Sequence, residues 1–458
     1  MNYRLESDSI GEKKVPVDAY YGVQSMRGSE NFNITGQRLL PEFIISLAQV
    51  KKACAIANFD AGELSPEMKD AICKACDEII KGELWDQFIC DPVQGGAGTT
   101  ANMNANEVVA NRAIEILGGI KGDYSIVHPN DHVNRSQSTN DVIPTAAKLT
   151  GAKLLIRVLA QLRRLEEALG KKEKEFHSVI KMGRTQMQDA VPIRLGSEFG
   201  AYRRAVQRDL TRLERALEEM YSVNLGGTAV GTCLNAKEGY VRSLAPNLSE
   251  ITGLPIKKAV DLIDGTQNLD SFAYVSSCLK TCAISCSKMA NDLRLISSGP
   301  RCGFQEINLP PMQNGSSIMP GKVNPVIPEV MSQTAFLVIG NDTCITMAAE
   351  AGQLELNYAE PILYHKLFES LRAMEGALET FVDRCVSGIT ANTKRCESLV
   401  ENSVGIITAI CPQVGYQKAA KVAKEAIKTG KSVRTVLEEA GFLSKEEIHA
   451  MLEPETMV

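Results

Sequence analysis

The sequence predicts a mainly α protein whose long central helices pack as a multi-helix bundle. Apolar residues recur at spacings of three and four over five long runs between Asp141 and about Thr390, the periodicity of helices that bury one face. One of these runs, Asn268 to Ser298, contains neither Gly nor Pro, so nothing in it interrupts a helix. No alternating strand pattern dominates any stretch.

At 458 residues, 44% hydrophobic and 23% charged, the chain has the composition of an ordinary globular protein with room for two or three domains. A net charge of −5 leaves no basic surplus, which argues against non-specific attraction to nucleic acid or an anionic membrane. The start, Met1 to Asp8, has no apolar signal core, and no run of eighteen apolar residues occurs, so a cytoplasmic location without membrane contact is expected. The thirteen cysteines lack the regular spacing of a secreted disulfide scaffold. Cys73 and Cys76 form a lone CxxC inside a helical pattern, and Cys278, Cys282 and Cys286 share one helical stripe; both groups are read as packing residues.

Up to about residue 138 the chain mixes short helices with loops. Pro41 to Asn58 and Ser65 to Lys81 have helical spacing, and Asp18 to Gln24 is turn-like. Gln94-Gly95-Gly96-Ala97-Gly98-Thr99-Thr100 then delivers threonines where a helix begins. The positive end of a helix attracts a carboxylate there, and simple N-capping accounts for the same residues. The glycine spacing does not match a dinucleotide fingerprint. His128 and His132 lie four apart, but Pro129 argues against a helix that would pair them on a metal. Ser138, Thr139 and Asn140 follow as a second cap-like cluster.

The first long helix carries Leu155, Val158, Leu159, Leu162, Leu165 and Leu169 on one seam; the others cover about Leu195 to Val223, Asn268 to Ser298, Pro328 to Gln353 and Glu360 to Ser387. Helices of this kind are about 40 to 50 Å long. Ala335-Phe336-Leu337-Val338-Ile339 is too apolar for a lone bundle in water, so a homo-oligomer is expected. Lys181 to Pro192, between the first two helices, is polar and marked by Gly183 and Pro192; it reads as a connection, either solvated or in contact with a ligand. Shorter helical segments follow Ala391. The expected division is therefore 1–138, 139–392 and 393–458.

Gly315-Ser316-Ser317-Ile318-Met319-Pro320-Gly321-Lys322-Val323-Asn324-Pro325 packs serines, a lysine and an asparagine between long helices, where a loop on rigid supports presents chemistry. It is not a phosphate-binding P-loop, because five residues separate Gly315 from Gly321 and Val323 follows Lys322. The stretches near residues 99, 138, 185 and 316 together offer Thr, Ser, Asn and Gln with one Lys. Such groups suit a small dicarboxylate and an oxyanion formed from it, which points to acid/base chemistry.

Gly315 to Pro325, Gly96 to Asn104 and Ser136 to Asp141 resemble, in order, three motifs of the fumarase/aspartase superfamily, and the likeness extends over nearly the whole chain. Gly183-Arg184-Thr185-Gln186 has Gln where fumarases typically carry a His, and Asn324 to Val330 also looks like the aspartase branch. Thr100 replaces a more usual Ser. The resemblance implies a three-domain, mainly α fold assembled as a homotetramer with active sites shared between chains. It implies reversible deamination of L-aspartate to fumarate and ammonia through an aci-carboxylate intermediate. Ser316 would be the general base. Lys322, Asn324 and Thr185 would hold the α-carboxylate, and Thr99, Ser138, Thr139 and Ser317 the β-carboxylate. Asn140 and Gln186 would contact the amino group. No cofactor is required, although some members are stimulated by divalent cations such as Mg2+, and no ligand set here locates one. His128 to Asp131 resembles a secondary dicarboxylate site of some fumarases and also reads as a structural loop. Fumarate hydration and a non-catalytic structural role are the alternatives.

Overall fold

The computed structural model describes residues 2–458. A short hairpin, β1 (Tyr3–Asp8) with β2 (Gly11–Pro16), opens the chain. Helices α1 (Val23–Asn31), α2 (Pro41–Asp60), α3 (Pro66–Ile80) and α4 (Thr99–Ile116) follow. The long α5 (Thr139–Glu175) leads to β3 (Ile180–Thr185), β4 (Gln188–Arg194) and α6 (Leu195–Glu219). Then come α7 (Glu238–Thr252), α8 (Leu262–Gln267), α9 (Asp270–Ile296), α10 (Val326–Glu350) and α11 (Glu360–Arg384). The chain ends in the short helices α12 (Thr393–Asn402), α13 (Cys411–Val414), α14 (Tyr416–Thr429), α15 (Val433–Ala440) and α16 (Lys445–Met451).

The five long helices lie where the periodicity placed them. No strand pattern dominates, as expected: among the described residues the strands form four two-stranded sheets. Lys181 to Pro192, read as a connection, is the antiparallel hairpin β3–β4, in which Thr185 faces Gln188 across the turn. Pro129, expected to exclude a helix, instead starts a short π-helical turn over Pro129–Val133, a place where its missing N–H costs nothing.

Contacts divide the chain into two compact units. The first comprises 1–159, 212–281 and 337–375. Its core is lined by α2, the start of α5 and parts of α9, α10 and α11. Phe43 meets Phe368, Tyr364 meets Phe272, and Arg157 of α5 bridges Glu375 of α11 and Glu42 of α2. Three buried carboxylates pin the loops of this unit. Glu107 on α4 accepts the backbone N–H groups of Gly22, Gln24 and Ser25, capping α1 from outside. Asp91 accepts those of Thr35 and Gly36, and Glu6 that of Val23.

The second unit comprises 160–211, 282–336 and 376–458. Here Arg203 of α6 bonds Glu166 and Glu173 of α5, Tyr202 donates to Asp292 of α9, and Phe176 packs on Phe199. A separate apolar cluster that includes Ile406, Ile410, Val422, Val436 and Leu437 holds the C-terminal helices together. Among the described residues no cysteine is in a disulfide; Cys76, Cys278, Cys282 and Cys286 are buried, as expected for packing residues, and Cys73 is half-buried. Among the described residues, no helix is long and apolar enough to cross a membrane.

Candidate active site

In the first unit, two helix starts lie side by side. Gly96, Ala97 and Gly98 all have positive φ, of 81°, 52° and 86°, and this left-handed run turns the chain sharply into α4. The N-cap is Gly98, with no side-chain cap bond, so Thr99 is the first helical residue and not a cap. Gln94 supplies the missing acceptor by taking the Ala101 N–H at 2.9 Å. Thr99 is exposed, its hydroxyl donating to Gly96 O at 2.8 Å.

At the second start, Ser138 caps α5. Its Oγ accepts the Asn140 N–H at 3.2 Å, and Asp141 Oδ1 accepts the Ser138 N–H at 2.9 Å, a reciprocal arrangement like a capping box. The buried Asp141 also takes the N–H groups of Gly226 and Thr228, at 3.0 and 3.1 Å. Burial outweighs these bonds and pushes its carboxyl up to about 6. Asn140 Nδ2 donates to Ala229 O at 2.7 Å. With the amide hydrogens directed there, Asn140 Oδ1 is left to accept, as an ammonium group requires.

One residue that no sequence motif singles out joins the two starts. Lys51 of α2 is completely buried. Its Nζ donates to Asn102 Oδ1 on α4 at 2.8 Å, and to Asn134 Oδ1 and Gln137 Oε1 before α5 at 3.0 and 2.9 Å. Asn102 in turn donates to Thr139 Oγ1 at 3.3 Å. The neighbouring Lys52 pairs with Asp77, so in sequence the two lysines look alike and only the tertiary packing separates them.

In the second unit, Thr185 and Gln186 sit at the tip of the β3–β4 hairpin. Gln186 and Met187 have φ of 52° and 65°, the conformation of a tight two-residue hairpin turn. The hairpin is anchored at Arg184, which bonds the fully buried Glu306 at 2.9 Å and stacks over Phe304; Lys181 reaches the same carboxylate at 3.3 Å.

The 315–325 loop is closed at its base. Gly315 N donates to Lys322 O, and Asn324 Nδ2 to Gly315 O, both at 2.8 Å. A Cβ on Gly315 would lie 2.7 Å from Lys322 O, so only glycine fits. Within the loop, Ser316 Oγ accepts the N–H groups of Ile318 and Met319 at 3.2 and 3.0 Å. Two fixed donors aimed at one hydroxyl oxygen favour its oxyanion form. Ser317 and Lys322 are exposed and Asn324 half-buried.

The predicted residues thus fall into two groups. Thr99, Ser138, Thr139 and Asn140 belong to the first unit, and Thr185, Gln186, Ser316, Ser317, Lys322 and Asn324 to the second. In the histidine pair, His128 Nδ1 accepts the N–H groups of Asn130 and Asp131, and His132 Nδ1 accepts that of His128. Among the described residues no group of three or more His, Cys, Asp or Glu side chains is placed to hold a metal ion.

Hydroxyls and amides at helix starts, with a serine loop closed by glycine, on a long-helix scaffold are groups suited to a small anion. Comparison with known proteins agrees. A family profile described as Lyase matches residues 11–340, and one described as Fumarase C C-terminus matches 406–458. The chain is 52% identical to the aspartate ammonia-lyase of Bacillus subtilis, over 99% of this chain and 96% of that one. It is 46% identical to the aspartate ammonia-lyase of Escherichia coli, over 98% and 94%. Among solved structures, a Brucella melitensis fumarate lyase:delta crystallin bound to cobalt superposes with a TM-score of 0.96 at 48% identity, covering 100% of this chain and 99% of that one. The class II fumarase of Schistosoma mansoni gives 0.96 at 35% identity, with the same coverage. The chain belongs to the fumarase/aspartase superfamily of lyases.

Proposed function

We propose that this chain catalyses the reversible deamination of L-aspartate to fumarate and ammonia, as a carbon-nitrogen lyase. The observation that carries the reading is its likeness, over nearly the whole length of both chains, to relatives named aspartate ammonia-lyase. Ser316 takes the Cβ proton, and the electron pair passes into the β-carboxylate to give an aci-form dianion. The pair then forms the Cα–Cβ double bond as the Cα–N bond breaks and ammonia leaves. A site that binds the dianion more tightly than aspartate accelerates the step. Thr99, Ser138, Thr139 and Ser317 surround the β-carboxylate. Lys322, Asn324 and Thr185 hold the α-carboxylate. Asn140, through its Oδ1, and Gln186 contact the amino group.

The sites are shared between chains of a homotetramer, which fits the exposed Phe336, Leu337, Ile339 and Met347 on α10. The chemistry needs no resident cofactor, and the location is cytoplasmic. Mg2+ acts at most as a stimulator, so activity is expected to persist in chelator. Fumarate hydration is the second reading, favoured by the class II fumarase likeness and opposed by Gln186. Purified protein supplied with L-aspartate or with L-malate separates the two by the ultraviolet absorbance of fumarate. Fumarate from aspartate alone is expected; fumarate from malate alone would replace this reading with the hydratase.

A further inference from the structure

Lys51 presents a physical problem. Its ammonium is completely buried, and its three partners are the neutral amide oxygens of Asn102, Asn134 and Gln137. Taking a charge out of water without an opposite charge is costly. The carboxylate that acts on it, Asp141, gives its oxygens to the backbone N–H groups of Ser138, Gly226 and Thr228. Removing the ammonium and packing apolar groups in its place would be the more stable arrangement for a purely structural element. A buried cation kept under these conditions implies an anion that arrives later.

The hydrogen bonds show where that anion arrives. Lys51 Nζ donates to Asn102 Oδ1 and Asn102 Nδ2 donates to Thr139 Oγ1, so Thr139 accepts from behind and its own O–H is left to donate outward. Each donor in such a chain polarises the next. We propose that Lys51 is a positioning residue whose fixed positive charge, relayed through Asn102 to the Thr139 hydroxyl, stabilises the dianionic intermediate more than the bound substrate. This deepens the proposed reaction and rests on it. The charge sits one amide behind the site, does not touch substrate, and needs no movement during turnover. Burial draws the Lys51 ammonium down to about 8, so it remains charged at neutral pH. The other titratable groups that act on it, Cys54 and Cys76, are pushed up by burial and stay neutral there, as does Tyr240 beside Cys54.

The test replaces the charge and keeps the hydrogen bonds. Lys51→Gln retains amide donors for the oxygens, and Lys51→Met retains only the chain length. With either variant folded by its melting curve, kcat for fumarate formation from L-aspartate is expected to fall by about 10- to 100-fold with KM within about threefold, somewhat less than the loss of a donor that touches the oxyanion. Unchanged kcat, or a loss confined to KM, in a folded Lys51→Gln protein would overturn the proposal. So would failure of both variants to fold, which would make the ammonium a stability element. Should the wild type act on L-malate and not on L-aspartate, the substrate reading fails separately, and the same kcat comparison is made with malate.

Discussion

Two backbone N–H groups, those of Ile318 and Met319, point at the Ser316 hydroxyl oxygen. Ser316→Ala is expected to leave the melting curve unchanged and to lower kcat by at least about 10²-fold, the loss associated with a general base. Thr100, the residue that departs from the family pattern, has a partner across α1 and α4. A Cβ on Gly28 would lie 2.0 Å from Thr100 Cγ2, so the methyl group occupies the space that a side chain at 28 would need. Gly28→Ala is expected to destabilise the protein by about 1–3 kcal/mol through overpacking. Adding Thr100→Ser should restore most of that, and a double-mutant cycle in denaturant measures the coupling. Lys51 supplies a pH test. Its folded pKa of about 8 lies below the ordinary 10.5, so between these values the unfolded chain holds more protons and stability rises with pH. The stability of wild type relative to Lys51→Met should grow between pH 8 and 10 by about 1 kcal/mol per unit; a flat difference would place the ammonium in water. Ser316, Lys322 and Asn324 were legible because Gly and Pro set their loop apart in the sequence. Lys51 was not, because its role exists only once α2, α4 and the turn before α5 meet.

At the scale of elements, the long helices could be read from their apolar period alone, since each buries one stripe along its length. The β3–β4 hairpin could not. Gly183 marks an irregular register beside Arg184, Pro192 interrupts the run, and the turn uses Gln186 and Met187 in place of the Asn-Gly signal. What fixes the hairpin is distant in sequence: Glu306 draws in Arg184 and Lys181. Glu306→Gln leaves two cations facing a neutral amide. We expect a loss of about 3–5 kcal/mol in denaturant unfolding, the usual result of breaking a buried ion pair. Because Arg184 precedes Thr185, the KM for L-aspartate should rise as well. A change below about 1 kcal/mol would mean that the hairpin is held elsewhere.

At the scale of the whole molecule, the ten predicted residues divide between two compact units, a division that no local pattern announces. Phe336 and Met347 are 64% and 68% accessible, apolar surface that the proposed homotetramer would cover. If the proposed sites are shared between chains, two dead variants can repair each other. Ser316→Ala and Thr139→Val proteins, each inactive alone, would be mixed, unfolded and refolded together, then assayed for fumarate from L-aspartate. Random assembly leaves about a quarter of sites with both residues intact, when each comes from a different copy. Recovery near that fraction is the predicted result; a mixture as inactive as its parents would contradict a shared aspartate-deaminating site.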